Sequence, residues 1–275
     1  MKKFTGDFET ATWVENETWV WAWALCDISN EEVQIGTNID DYIEYCKKEK
    51  NCEVYMHNLK FDGEFIIYWA LTHGFKHVEK KEDIEANTFT TLISDLGQFY
   101  SIVLYFSKGN KKVHKVTFFD SLKIIPLPVS EIPKAFNLKE EKLEIDYNKP
   151  RYRGWRLTNQ EKEYIKHDVL IVAKALKQMF SQNLTKMTIG SNALNNYKEI
   201  LTKRKFSHFF PNLDKILDSD LRKSYRGGFT YLNPIYKEKD VGKGVVLDVN
   251  SLYPSVMYEK LLPFGEPIFF KGEYK

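Results

Sequence analysis

Two carboxylates stand one residue apart near the start of the chain, Asp7 and Glu9. On a β-strand that spacing places both on one face. Like charges so close repel unless a cation lies between them, and carboxylate oxygens suit Mg²⁺ or Mn²⁺. Two further groups of related chemistry follow. Asn58-Leu59-Lys60-Phe61-Asp62 offers an amide that can hydrogen-bond a substrate, a ring that can stack against a base, and a third carboxylate. Tyr164-Ile165-Lys166-His167-Asp168 puts a phenol and a fourth carboxylate at i, i+4, on one helical face. A phenol beside a metal-bound carboxylate can position an attacking water. Taken singly, the three groups also fit a surface strand, an Asx-capped turn and a solvent-facing helix pair, and His167 reads as an exposed helix residue.

The elements that must carry these residues are legible from periodicity. Lys3–Glu9 reads as a short strand, Thr18–Cys26 as an aromatic β-rich segment, and Glu31–Ile35 as its pairing partner. Ile39, Tyr42, Ile43 and Cys46 recur at helical spacing over Ile39–Lys48. Cys52–Met56 is strand-like and Phe61–Leu71 helix-like. Thr88–Ile93, Gln98–Phe106 and Val113–Phe119 are β-rich, the last two joined by a Gly109-Asn110 turn. Residues 126–156, rich in Pro, Lys and Arg, are expected to be mostly irregular. Thr158 with Glu161 makes a capping box for a long helix reaching about Phe180. A second helix is expected over Ser191–Lys203, and residues 203–243 read as basic and turn-rich. A strand at Gly244–Val249 and a helix at Leu252–Lys260 close the pattern.

Composition narrows the function classes. The chain has 275 residues, is 43% hydrophobic and 28% charged, and so is neither disordered nor low-complexity. The net charge of +2 conceals a division: residues 1–100 hold nine lysines, no arginine and 19 acidic residues, a net of −10, and the remainder carries +12. Such asymmetry favours polyanion contact. No apolar run approaches the ~20 residues that span a membrane, and the N-terminal residues lack a signal-peptide core. Cys26, Cys46 and Cys52 lack metal-site spacing and read as reduced thiols, which points to the cytoplasm.

Taken in order, Asp7/Glu9, Asn58/Phe61/Asp62 and Tyr164/Asp168 resemble the three motifs of DEDD-type 3′–5′ exonucleases. Ser121-Leu122-Lys123-Ile124-Ile125 resembles the single-strand-contacting S/T-L-x-x-hydrophobic motif of family B DNA polymerases. Lys142, with Tyr147 behind it, matches the place of a lysine that contacts the scissile phosphate in the protein-primed subgroup. Tyr225-Arg226-Gly227-Gly228 resembles the YxGG motif between exonuclease and polymerase domains, and Asp248-Val249-Asn250-Ser251-Leu252-Tyr253-Pro254 resembles motif A of the palm. The set resembles the protein-primed family B DNA polymerases of small tailed phages.

That resemblance implies an α/β architecture: a ribonuclease H-like exonuclease domain over residues 1–187, with a mixed central sheet flanked by helices, then a linker and incomplete polymerase palm over 188–275. It implies two Mg²⁺ or Mn²⁺ ions held by Asp7, Glu9, Asp62 and Asp168, with Tyr164 orienting water and Lys142 facing the phosphate. Thr10, His57, Asn58, Phe61, Phe65, Ser121, Leu122 and Tyr147 would hold the DNA 3′ end, and Tyr225, Arg226, Gly227 and Gly228 the DNA between the two active sites. Asp248 would be a palm metal ligand, with Ser251, Leu252 and Tyr253 against the incoming nucleotide. The partners implied are single-stranded and primer-template DNA, a terminal priming protein, and a separate C-terminal polymerase polypeptide, with no membrane. The later palm motifs, K-x-x-x-N-S-x-Y-G and D-T-D, do not follow motif A in these residues. The chain therefore reads as an N-terminal polymerase fragment, from a split gene or a shortened record, with a complete exonuclease and no expected polymerisation. Alternatives are a DNA- or terminal-protein-binding module without catalysis, and a free-standing 3′–5′ exonuclease.

Overall fold

The computed structural model describes residues 1–11, 17–108, 112–224, 228, 230–268 and 272–273. It forms two compact units, Met1–Ala193 and Leu194–Lys275.

The first unit is a mixed α/β layer structure. Its strands are β1 (Lys3–Thr10), β2 (Val20–Asp27), β3 (Val33–Gly36), β4 (Cys52–Met56), β5 (Lys76–His77), β6 (Thr88–Ile93), β7 (Phe99–Lys108) and β8 (Lys112–Asp120). They make one sheet in the order β3-β2-β1-β4-β8-β7-β6-β5. β1 lies near the middle, antiparallel to β2 and parallel to β4. Helices α1 (Ile39–Lys48) and α2 (Leu59–Thr72) cover one face, and the long α4 (Asn159–Ser181) covers the other, with the short α3 (Ile132–Phe136) preceding it. The alternation of β1 decides which side chain meets which layer. Phe4 and Phe8 enter the core under α1 and α2. Thr5 points the other way, where its hydroxyl donates to the Val169 carbonyl of α4 at 2.7 Å. Asp7 and Glu9 share that second face.

Two local features hold β1 in place. Gly6 has no room for a side chain, since a Cβ there would stand 2.2 Å from the Tyr42 hydroxyl of α1. Across the ladder, Asp7 pairs with Ala24 and Glu9 with Ala22, so small residues flank both carboxylates. The capping box at α4 forms as expected, with Thr158 and Glu161 bonded reciprocally. Inside the segment read as irregular, Pro133 fits the first turn of α3 and Ile132 is fully buried. The Gly109-Asn110 turn lies outside the described residues.

The second unit departs further from expectation. Beyond α5 (Ile189–Leu201), the basic segment is not simply turn-rich: it holds α6 (Lys203–Phe209) and α7 (Lys215–Ser224). Asp214 accepts from the Ile216 and Leu217 amides at the start of α7, and Arg222 pairs with Asp218 one turn back. The expected strand at 244–249 does not form. Val245, Val246 and Leu247 are over four-fifths exposed, and among the described residues no strand pairs with them. A β-segment with unfilled ladder bonds gains nothing over coil. α8 (Leu252–Glu259) follows.

Candidate active site

The C-terminal half of β1, the turn before α2, and α4 enclose a cleft of about 440 Å³ lined by Asp7, Glu9, Asn58, Lys142, Tyr164 and Asp168 among others. Ligand oxygens from Asp7, Glu9 and Asp168 all lie within 4.8 Å of one another. The i, i+4 spacing on α4 puts Tyr164 and Asp168 together on the face toward β1. Asp62, in the first turn of α2, lies outside that group of three. It is buried, and near enough to Asp7 and Glu9 for their charges to act on it.

Electrostatics mark the cluster as under strain. Burial, then the charge of Asp168, pushes Asp7 up to about 7. Burial, then the charges of Asp7 and Asp168, pushes Glu9 up to about 8. Burial raises Asp62 well above the usual carboxylate range, with Asp7 and Glu9 adding to it. Burial also raises Asp168, against the pull of Lys142. Lys142 Nζ donates to Asp168 Oδ2 at 2.6 Å and lies 3.5 Å from the Tyr164 hydroxyl. Asp62 Oδ1 and Asp168 Oδ1 are buried with no hydrogen-bond partner. Unsatisfied buried carboxylate oxygens beside other carboxylates are costly. A hard divalent cation relieves that cost, so the oxygen set fits Mg²⁺ or Mn²⁺. The Tyr164 hydroxyl meets that of Tyr147 at 2.6 Å. Burial and the neighbouring carboxylates raise the Tyr164 phenol, so it stays protonated and able to donate.

Of the residues expected to hold a strand, His57, Asn58, Phe61 and Tyr147 line the cleft, while Thr10, Phe65, Ser121 and Leu122 are not among its lining residues. Asn58 sits at the N-cap of α2 in the left-handed region, φ 74°. Phe61 lines the cleft from α2 and is 50% exposed, with its ring centroid 6.0 Å from that of half-buried Phe65. Thr10 ends β1. Leu122 is half-buried and Tyr147 is exposed. His57 meets Ser121 Oγ through Nδ1 at 3.0 Å and the Leu127 carbonyl through Nε2 at 2.8 Å. A carbonyl only accepts, so Nε2 carries the proton, and burial lowers the ring's pKa, keeping it neutral. Ser121 is fully buried. Its single hydroxyl proton lies between two acceptors, His57 Nδ1 at 3.0 Å and the Met56 carbonyl at 3.2 Å, so Ser121 supports the His57 ring from below.

One residue in this group was not apparent from sequence. Asp120 Oδ1 accepts from the backbone amides of Asn58, Leu59 and Leu122 at 3.0–3.3 Å. It thereby caps α2 from outside and joins both strand-facing segments. An Asp directly before Ser121-Leu122 is its only sequence signal.

In the second unit, Gly228 and Asp248 are exposed and outside regular structure. Ser251 is the left-handed N-cap of α8, φ 52°, and Leu252 and Tyr253 are exposed in its first turn. Tyr225, Arg226 and Gly227 lie outside the described residues.

The chain belongs to the type B DNA polymerases, organellar and viral, whose family model matches residues 43–275. It is 46% identical over its whole length to the DNA polymerase of Bacillus phage M2, and 46% identical over 99% of its length to that of Bacillus phage phi29. The chain covers 47% of each of those relatives, about half their length. A solved structure of phi29 DNA polymerase complexed with single-stranded DNA superposes with a TM-score of 0.88 at 43% identity, covering all of this chain and 48% of that one. Among the described residues no helix is long and apolar enough to cross a membrane.

Proposed function

We propose that the cleft is a 3′–5′ exonuclease site that removes nucleoside monophosphates from a single-stranded DNA end, within a protein-primed type B DNA polymerase. The observation that carries this reading is the convergence of Asp7, Glu9 and Asp168 oxygens beside a protonated phenol and one lysine. Asp7, Glu9 and Asp168, with Asp62 beside them, would hold two divalent ions. Such ions supply Lewis-acid activation of water and neutralisation of charge on the phosphate.

The chain's own residues do the rest. Tyr164, held by Tyr147, donates toward the position an attacking water must take. Lys142 faces the phosphate and offsets the charge that develops there. Exposed Phe61, with Phe65 behind it, offers a stacking surface for terminal bases, which every base can use. Asn58, fixed by Asp120, supplies a polar contact without a charge that would repel or trap the strand, and neutral His57, both ring nitrogens engaged, forms part of the cleft wall beside it. The likeness to a polymerase complexed with single-stranded DNA supports this substrate class, as does one complexed with primer-template DNA.

In the second unit, Asp248 is the proposed palm metal ligand, and Ser251, Leu252 and Tyr253 the nucleotide-facing residues. The partners of the reading are DNA and a terminal priming protein, in the cytoplasm of a host. The test is incubation of the purified chain with 5′-labelled single-stranded DNA and Mg²⁺ or Mn²⁺. Stepwise shortening from the 3′ end is expected. DNA binding by folded protein without shortening overturns the exonuclease in favour of a binding module.

A further inference from the structure

Residues 142–151 run back along α4 and touch it at three successive places. Lys142 Nζ donates to Asp168 Oδ2 at 2.6 Å, the Tyr147 and Tyr164 hydroxyls meet at 2.6 Å, and Arg151 Nε donates to Glu161 Oε1 at 2.7 Å. Numbers rise along the loop as they fall along the helix, so the contacts form an antiparallel ladder. Positions 161, 164 and 168 are spaced i, i+3, i+7 and share one helical face. The first two rungs lie in the cleft. The third lies outside it and is buried: Arg151 is 2% exposed and Glu161 4%.

The third rung has the build of an anchor. Arg151 Nη1 also donates to the carbonyls of Asp146 and Lys149, at 2.8 and 3.1 Å, closing the turn that presents Tyr147. Its guanidinium carbon lies 4.4 Å from the Trp21 ring centroid of β2, which ties the loop to the sheet. Glu161 Oε2 accepts from the Trp155 ring and from both the amide and hydroxyl of Thr158. Burial pushes Glu161 up, but the bonds from Trp155, Thr158 and Arg151 outweigh it and bring Glu161 down to about 2, so the pair stays charged. A buried ion pair is weak as a source of stability, because desolvation offsets its attraction. What the forked, planar guanidinium adds is geometry that a lysine does not reproduce. Tyr147, by contrast, is exposed on an irregular segment, and its ring makes an edge contact with Tyr164.

We propose that Arg151 and Glu161 are a positioning pair for the cleft. They hold the 146–149 turn so that the Tyr147 hydroxyl fixes that of Tyr164 and Lys142 stays on Asp168. This rests on the exonuclease reading of the cleft.

The test uses the full chain as wild type, Arg151→Lys, Tyr147→Phe and the double variant. Two quantities are measured: single-stranded DNA hydrolysis with Mg²⁺, and amide hydrogen exchange over residues 142–150 against the rest of the first unit. Arg151→Lys should lower kcat roughly 10- to 100-fold with KM little changed. It should speed exchange over 142–150 about tenfold while exchange in β1, β4 and α4 stays at the wild-type level. The double variant should be no slower than the slower single one, because both act through the same hydroxyl pair. Multiplying effects, or a kcat within about twofold of wild type with unchanged loop exchange, overturn the proposal. A wild-type chain that does not cleave sinks the exonuclease reading instead, and loop exchange then decides alone whether Arg151 fixes the turn.

Discussion

Lys142 holds only one of the two carboxylate oxygens of Asp168. The Oδ2 accepts a 2.6 Å hydrogen bond from Lys142, while the Oδ1 is buried without one. One oxygen is held by a fixed cation, and the carboxylate belongs with Asp7 and Glu9 to one group of ligand oxygens within 4.8 Å of one another. A carboxylate so placed is oriented before any mobile cation arrives, which is what a preorganised metal site requires.

Cation binding should therefore depend on pH in a definite direction. Asp7 and Glu9 are held up to about 7 and about 8, above their values in an unfolded chain. Folded protein then binds more protons than unfolded protein between about pH 4 and 8, so without metal their contribution makes stability fall as pH rises through that window. A divalent ion displaces those protons, so its affinity should strengthen from pH 6 to 8.5. Thermal melts in chelator and in millimolar Mg²⁺ read both effects. Mg²⁺ should raise Tm at pH 8 by roughly 5 °C, and by less at pH 6. A Tm indifferent to Mg²⁺ at both pH values contradicts the site.

Lys142→Met should leave the fold intact and lower the exonuclease kcat on the order of 100-fold, as loss of one charge-stabilising donor does. Steady-state kinetics on a single-stranded oligonucleotide measure this. An unchanged kcat would move Lys142 from the phosphate to a purely structural role.

Phe61→Ala should act on binding. The ring is half exposed, so stability should change little. Loss of one stacked base costs about 1–3 kcal/mol, which predicts a KM for single-stranded DNA raised roughly 5- to 150-fold at similar kcat. A stability loss with unaltered KM would show the ring to be packing, with no part in strand contact.

Gly6→Ala tests what sets the cleft's floor. The added methyl would meet the Tyr42 hydroxyl and the Val54 side chain, at 2.2 and 3.0 Å. Overpacking of this sort costs about 1–3 kcal/mol. Urea denaturation should show that loss, with exonuclease activity reduced because β1 carries Asp7 and Glu9. A neutral result would mean that α1 yields more easily than a helix packed through buried Tyr42, Ile43 and Cys46 should.

Much of the first unit was legible in sequence because its signals are local. Ile39–Lys48, Cys52–Met56 and Thr88–Ile93 form with the bounds their periodicity implies. The D-x-E spacing placed Asp7 and Glu9 on one face, and the capping box placed the start of α4. Contacts made across long sequence separations were not legible. Asp120 reaches amides 62 and 61 residues away, and Arg151 presents itself in sequence as one basic residue in a basic, proline-containing segment. The 244–249 segment has strand composition without a described neighbour to pair with, and composition cannot supply a partner. α6 and α7 were hidden by charge, since their capping and ion-pair contacts do not show as apolar periodicity.

The central claim is that the carboxylate cluster cuts DNA. Asp7 and Glu9 replaced together by Ala, compared with wild type on 5′-labelled single-stranded DNA in Mg²⁺, tests it most directly. The account predicts that wild type shortens the strand from its 3′ end and that the double variant, folded and still binding DNA, does not. Equal shortening by both proteins would contradict it.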